Sequence, residues 1–218
     1  MKLSECVLDL IFPPKCVFCR KILDRGEHPI CPECPGTKYR IPAGKAGHGD
    51  FYSLCVSPLR YSGDVRKSLL RYKFGDMSIY ADIYGEILAE RISAELDGRW
   101  DIISWIPLSD RRMRERGYDQ AELLAEAAAK RLGVHAQRTL VKIRHTGRQS
   151  DTGPEAKRRA NVSGAYSAYD PELVKDRRIL LIDDIITTGA TLSECARTLL
   201  LAGAKEIVGA ALASAETE

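Results

Sequence analysis

Residues 179–191 read Ile-Leu-Leu-Ile-Asp-Asp-Ile-Ile-Thr-Thr-Gly-Ala-Thr. The first four residues, Ile179 through Ile182, are too few for a helix and apolar throughout, which suits a strand buried on both faces of a parallel sheet. Asp183 and Asp184 mark the carboxyl end expected of that strand. Thr187, Thr188, Gly189, Ala190 and Thr191 follow as small or hydroxyl-bearing residues around a glycine. Helical spacing then begins at Leu192, Cys195, Ala196, Leu199 and Leu200. A tight turn into a helix start presents N–H groups without intrahelical partners and a partial positive charge, which is how proteins hold phosphate. Neither Gly-x-x-x-x-Gly-Lys-Ser/Thr nor Gly-x-Gly-x-x-Gly is present. Carboxylates accept from hydroxyls, so paired acids ahead of a phosphate cradle suit neighbouring hydroxyls beside a phosphate, as in a ribose 5-phosphate. That reading is favoured over an ordinary strand, turn and helix with an acidic turn.

Outward from this stretch, the chain repeats strand and helix. β-prone residues over 51–61 predict a strand despite Pro58, and the spacing of Ile83, Ile87, Leu88, Ile92 and Leu96 predicts a helix over 79–96. A strand over 102–106 runs into Pro107 and a basic loop with Arg111, Arg112, Arg114 and Arg116. A helix over 120–132 then stops at Gly133. Strand, basic loop and helix form the unit of a parallel sheet with its ligand at the strands' carboxyl ends, so the Pro107 loop opens on the same edge as Thr187 to Thr191. Further strands are expected over 139–143, 162–168 and 207–212, the last closing the sheet. Residues 144–159 carry no apolar period and read as a long loop. From Arg138 to Arg159 there are seven Lys and Arg against two acids, which suits a basic lid able to exclude water.

The chain has 218 residues, 44% of them hydrophobic, and a formal charge of +3. That composition is a globular one with room for a main domain and a small appendage, and the charge is too mild to indicate nucleic-acid binding by itself. No segment approaches the roughly 20 apolar residues of a membrane span. Residues 3–12 include Glu5 and Asp9 and lack a signal-peptide cleavage site, so a cytoplasmic protein is expected. Those residues predict a short helix stopped by Pro13 and Pro14. Cys16-Val-Phe-Cys19 and Cys31-Pro-Glu-Cys34 are two knuckles separated by eleven residues. Four thiolates suit a tetrahedral structural zinc ion, and disulfides are the competing reading, disfavoured in a reducing compartment. Gly, Pro and Lys over 36–49 read as a linker. The expected division is 1–49 for helix, knuckles and linker, and 50–218 for the main domain.

All thirteen residues of 179–191 resemble the signature of the type I phosphoribosyltransferases, whose ligand is phosphoribosyl pyrophosphate (PRPP). The resemblance implies an α/β fold, a parallel sheet flanked by helices, with a hood here built from the zinc segment and residues 51–75. It implies that Asp183 and Asp184 take the ribose 2- and 3-hydroxyls, that Thr187, Thr188, Gly189, Ala190 and Thr191 hold the 5-phosphate, and that pyrophosphate lies at the Pro107 loop. Lys73, Arg116 and Arg144 are candidate pyrophosphate contacts. Magnesium is expected with PRPP, placed by Asp183 and Asp184 through the ribose or through waters.

Beyond that signature, the cysteine knuckles, Tyr61-x-Gly63-x-x-Arg66 with Lys73-Phe-Gly75-Asp76, Arg116-Gly117-Tyr118-Asp119-Gln120, Arg144-x-Thr146-x-x-Gln149 and Arg159-x-Asn161-Val162-x-Gly164-Ala165-Tyr166 resemble the ComF family in content and order. That family is linked to natural competence, so the resemblance implies DNA uptake, with single-stranded DNA and the uptake machinery as partners. Basic clusters at 60–73, 111–116 and 138–159 with Tyr61, Tyr72, Phe74 and Tyr118 among them offer stacking faces for a single strand. The alternative is an active phosphoribosyltransferase of nucleotide salvage with a nitrogen acceptor. Asp119 stands where the family usually has Asn, and its charge is expected to weaken pyrophosphate binding unless a cation offsets it.

Overall fold

The computed structural model describes residues 13–24, 26–34, 39–75, 77–144 and 163–215. The expected helix over 3–12 and all but the first residue of the expected 144–159 lid lie outside them. The strands are β1 (Leu54–Val56), β2 (Leu59–Arg60), β3 (Ile102–Trp105), β4 (Leu140–Lys142), β5 (Tyr166–Ala168), β6 (Arg178–Ile186) and β7 (Glu206–Ser214). The helices are α1 (Gly63–Phe74), α2 (Tyr80–Glu95), α3 (Asp110–Arg116), α4 (Gln120–Arg131), α5 (Pro171–Val174) and α6 (Ala190–Leu201).

A parallel sheet runs in the order β1-β7-β6-β3, with β2 also paired to β7. β6 is its axis, with Leu180 beside Ile103 on one side and beside Val208 on the other. Side chains alternate faces along a strand. Leu180 and Ile182 therefore enter the core with α2 and α4, while Ile179 and Leu181 pack with Leu192, Cys195 and Leu199 of α6. All four side chains are fully buried, each contributing about 1.5–3 kcal/mol of apolar transfer. Close helix contact covers the first face. A Cβ on Gly85 of α2 would lie 2.5 Å from the Ala127 Cβ of α4, so these helices meet nearly backbone to backbone.

Several expectations are corrected. The strand predicted over 51–61 is two short strands, because Pro58 cannot donate to a ladder; its carbonyl accepts from the Ile41 N–H instead. β6 continues through both aspartates to Ile186, since β7 pairs with it as far as Ser214. β7 lies inside the sheet rather than closing it. β4 and β5 leave that sheet and form an antiparallel pair of their own, with Lys142 opposite Tyr166. The linker expected over 36–49 is packed where it is described: Arg40 bridges Leu59 and Gly47 bridges Cys55, which covers strand groups that an open edge would expose.

The cysteine knuckles dock on α1 and α2. Val17 and Phe18 are almost wholly buried. The Arg71 Nη2 donates to the Val17 carbonyl at 2.9 Å and the Phe18 carbonyl at 2.8 Å, and the Ser68 hydroxyl also donates to the Val17 carbonyl. Arg20 reaches the Tyr80 hydroxyl at 3.0 Å. α1 therefore carries the knuckle near its middle and, two residues beyond Arg71, Lys73.

Candidate functional site

At the carboxyl ends of β3 and β6 a cavity of about 370 Å³ is lined by Lys73, Pro107, Arg112, Arg116, Lys142 and the run from Asp183 to Leu192, with Tyr61, Asp119 and Tyr166 among the other walls. Strand alternation sends the adjacent aspartates to opposite faces of the sheet. Asp184 pairs with the Lys73 Nζ at 2.8 Å, with the two side chains only 10% and 18% exposed. Asp183 lies on the other face, and its Oδ1 accepts the Asp184 N–H at 2.8 Å. Burial, reinforced by the Asp184 charge and opposed by Lys73, pushes the Asp183 carboxyl up to about 8.

Thr187 to Gly189 turn the chain from β6 into α6. Gly189 is the residue before the helix and has φ 70°; a Cβ there would meet the Tyr52 hydroxyl at 2.6 Å. Glycine is required for both reasons. The first N–H groups of α6 lack intrahelical partners and line the same cavity as the two carboxylates.

The Pro107 loop is fixed by Asp119. This buried carboxylate caps α4: Oδ1 accepts from Ala121 N–H at 3.0 Å and Glu122 N–H at 3.3 Å, while Oδ2 accepts from Leu108 N–H at 2.7 Å. Burial raises the Asp119 carboxyl, and these three donors counter it. Its charge is thus turned toward backbone donors that join loop to helix. An amide has one accepting oxygen and would face a donor with a donor. Asp119→Asn is expected to lose about 1–2 kcal/mol of stability, read as a lower denaturation midpoint; an unchanged midpoint would contradict this role.

Arg112 and Arg116 are four residues apart on α3, which places both on the cleft face. Arg116 lies 4.8 Å over the Phe74 ring and donates to the Gln120 Oε1 at 2.5 Å; burial lowers its pKa. The structure thus brings together Lys73, Pro107, Arg116, Asp183, Asp184 and Thr187, Thr188, Gly189, Ala190 and Thr191. It does not bring Arg144 into the cavity; the Arg144 Nη2 donates to the Ser163 carbonyl at 2.6 Å. Sequence reasoning passed over Arg112, Lys142 and Tyr166 as cleft residues. The four-residue spacing from Arg116 was a usable signal for Arg112. A lysine inside a β-prone run was a usable one for Lys142.

The Sγ atoms of Cys16, Cys19, Cys31 and Cys34 all lie within 4.8 Å of one another, and Cys19 and Cys31 are 3.7 Å apart. A tetrahedron with Zn–S of about 2.3 Å has edges of about 3.8 Å, so this donor set fits zinc. Burial raises the Cys16 thiol, but N–H donors from Cys31, Cys19 and Phe18 outweigh it and lower it, whereas burial and the neighbouring thiols raise Cys34, so the spacing of the four sulfurs and not their titration is what fits the metal. Among the described residues no helix is long and apolar enough to cross a membrane.

A parallel sheet flanked by helices, preceded in the chain by a four-cysteine cluster that fits zinc, is the type I phosphoribosyltransferase fold carrying a zinc ribbon. The phosphoribosyl transferase domain model matches residues 119–217, and the double zinc ribbon domain model matches residues 7–43. Competence protein F of Haemophilus influenzae is 39% identical over 105 residues, 47% of this chain and 45% of that protein. DNA utilization protein YhgH of Escherichia coli O157:H7 is 28% identical over 88% of this chain and 86% of its own. Competence protein ComFC of Streptococcus pneumoniae is 27% identical over 88% of this chain and 84% of its own. The chain spans less than half the length of the Haemophilus influenzae relative in that match. These relatives, together with the two domain models, support a protein of the ComF type.

Proposed function

We propose that the cleft binds PRPP and that the protein serves DNA uptake. The observation that carries the first part is the meeting, in one cavity, of two carboxylates, a glycine turn into α6 and the cations Lys73, Arg112 and Arg116. In this reading Asp183 and Asp184 accept from the ribose 2- and 3-hydroxyls, and Thr187 to Thr191 donate to the 5-phosphate. Lys73, Arg112, Arg116 and the Pro107 loop hold the diphosphate. Scission of the C1–O bond leaves charge on the diphosphate, so these cations would stabilise the leaving group and no protein nucleophile is needed. A magnesium ion bound with PRPP would supply further neutralisation there, and Asp183 and Asp184 would place it through the ribose or through waters. The role in DNA uptake draws on the relatives named for competence and DNA utilization. A zinc-thiolate site suits the reducing cytoplasm, and the proposed division remains 1–49 for the zinc module and linker and 50–218 for the phosphoribosyltransferase-like domain.

The test is pyrophosphate release from PRPP and magnesium by zinc-loaded protein, alone, with a nucleobase mixture and with single-stranded DNA. Binding of PRPP without release, together with salt-dependent binding of the strand, is the expected result for a DNA-handling protein. Release that requires a base would instead make the protein a salvage transferase.

A further inference from the structure

Lys142 and Tyr166 face each other across the β4–β5 pair. The Lys142 Nζ lies 2.9 Å from the Tyr166 hydroxyl and 4.8 Å over its ring centroid, and both residues line the cleft. The two cleft lysines differ in their partners. Lys73 is paired with Asp184, whereas among the described residues no carboxylate lies within ion-pair distance of Lys142. An ammonium has three donors, and the phenol accepts only one of them. A cation set into a protein wall without a counter-ion is destabilised until an anion reaches it.

We propose that Lys142 is a further diphosphate-binding residue of the cleft, held in position by Tyr166 and acting at the same corner as Arg112. The inference rests on the reading of the cleft as a PRPP site and extends it to a residue outside the loops that define that site. The groups around the ammonium are Tyr166 on β5, Arg112 on α3, Cys195 on α6, Asp183 on β6 and Asp119 at the start of α4. Burial first, and then Arg112, bring the Lys142 amine down to about 8. An anion placed between Lys142 and Arg112 relieves their repulsion and favours the charged amine. Near pH 8 diphosphate binding should therefore draw up to about half a proton onto this side chain, and near pH 6.5, where the amine is already charged, it should draw almost none.

The experiment is titration calorimetry at pH 8 with magnesium, in two buffers of different ionisation enthalpy. The probes are inorganic pyrophosphate and, separately, ribose 5-phosphate. Lys142→Gln is expected to weaken pyrophosphate about 10- to 100-fold and to leave ribose 5-phosphate within about 2-fold. Lys142→Arg keeps the charge but cannot titrate at this pH, so it should bind pyrophosphate within about 3-fold of the wild type and lack the lysine's proton uptake. Equal weakening of both probes would mean a merely structural lysine and would overturn the proposal. Wild-type affinity and proton balance in Lys142→Gln would overturn it as well. Wild-type protein that binds neither probe would overturn the PRPP reading itself, and this inference with it.

Discussion

Asp183→Asn combined with Asp184→Asn is expected to weaken PRPP binding by about two to four orders of magnitude above pH 8, where both carboxyls are ionised and each charge-assisted hydrogen bond contributes about 1.5–3 kcal/mol. Both carboxylates face one cavity but from opposite faces of β6, so each single variant should lose part of the affinity. The single changes differ in their effect on the fold. Asp184→Asn leaves the Lys73 ammonium in a wall where it is only 18% exposed, and removing one partner of such a pair costs about 3–5 kcal/mol. Lys73→Met with Asp184→Asn removes both charges and should recover most of that stability without recovering PRPP affinity. Asp183→Asn acts in the other direction. The folded Asp183 carboxyl sits near 8, pushed up by burial and by Asp184, while its unfolded value is about 3.9. Between these values folding takes up a proton, so Asp183 stabilises the fold at low pH and that contribution fades as pH rises toward 8. The wild-type Tm should fall from pH 5 to pH 8 more steeply than that of Asp183→Asn. Parallel profiles would show that Asp183 is ionised throughout.

Removal of zinc is the second change with a large expected effect. A structural zinc site of this kind contributes about 10–16 kcal/mol of binding free energy, which is folding free energy for the segment it closes. Without it, the four thiols repel as they ionise, and the remaining contacts of the knuckle with α1 and α2 have to hold a segment with few buried residues of its own. Val17 and Phe18 would leave the core they now complete, and Arg71 and Ser68 of α1 would lose the carbonyls they hold. Lys73 lies two residues from Arg71 and five from Ser68 on that helix. Chelation, or Cys31→Ser, is therefore expected to open residues 16–34 to proteolysis, lower the Tm by many degrees and weaken PRPP binding about 10-fold or more through the loosened Lys73. Readdition of zinc should reverse the chelated case. Resistance to protease after complete chelation would contradict zinc as the organising element of the segment.

The parts of the fold and the candidate site that were legible in the sequence are those where local chemistry decides the outcome. The turn from Asp183 to Thr191 was legible because a glycine with positive φ, hydroxyls and paired acids leave few alternatives. The knuckles were legible because four cysteines at that spacing have few uses. α2 and α4 announced themselves by apolar period. α1 did not, because its charged face dominates the string, although Val65, Ser68, Leu69 and Tyr72 form its buried stripe. The pairing of β4 with β5 outside the main sheet depends on partners more than twenty residues apart, which periodicity does not reveal. Asp119 shows the same limit within the site. As a letter it was a misplaced charge beside pyrophosphate, whereas in space it is the acceptor that ties Leu108 to the start of α4. The Lys73–Asp184 pair likewise joins residues whose separation hides their contact.

Whether the cleft at the end of β6 is a PRPP site is decided by titration of the zinc-loaded protein with PRPP and magnesium. Saturable binding at one site per chain is expected, competed by pyrophosphate and by ribose 5-phosphate and lost in the Asp183→Asn, Asp184→Asn variant. Absence of binding at millimolar PRPP, or binding that survives the double substitution unchanged, would contradict it.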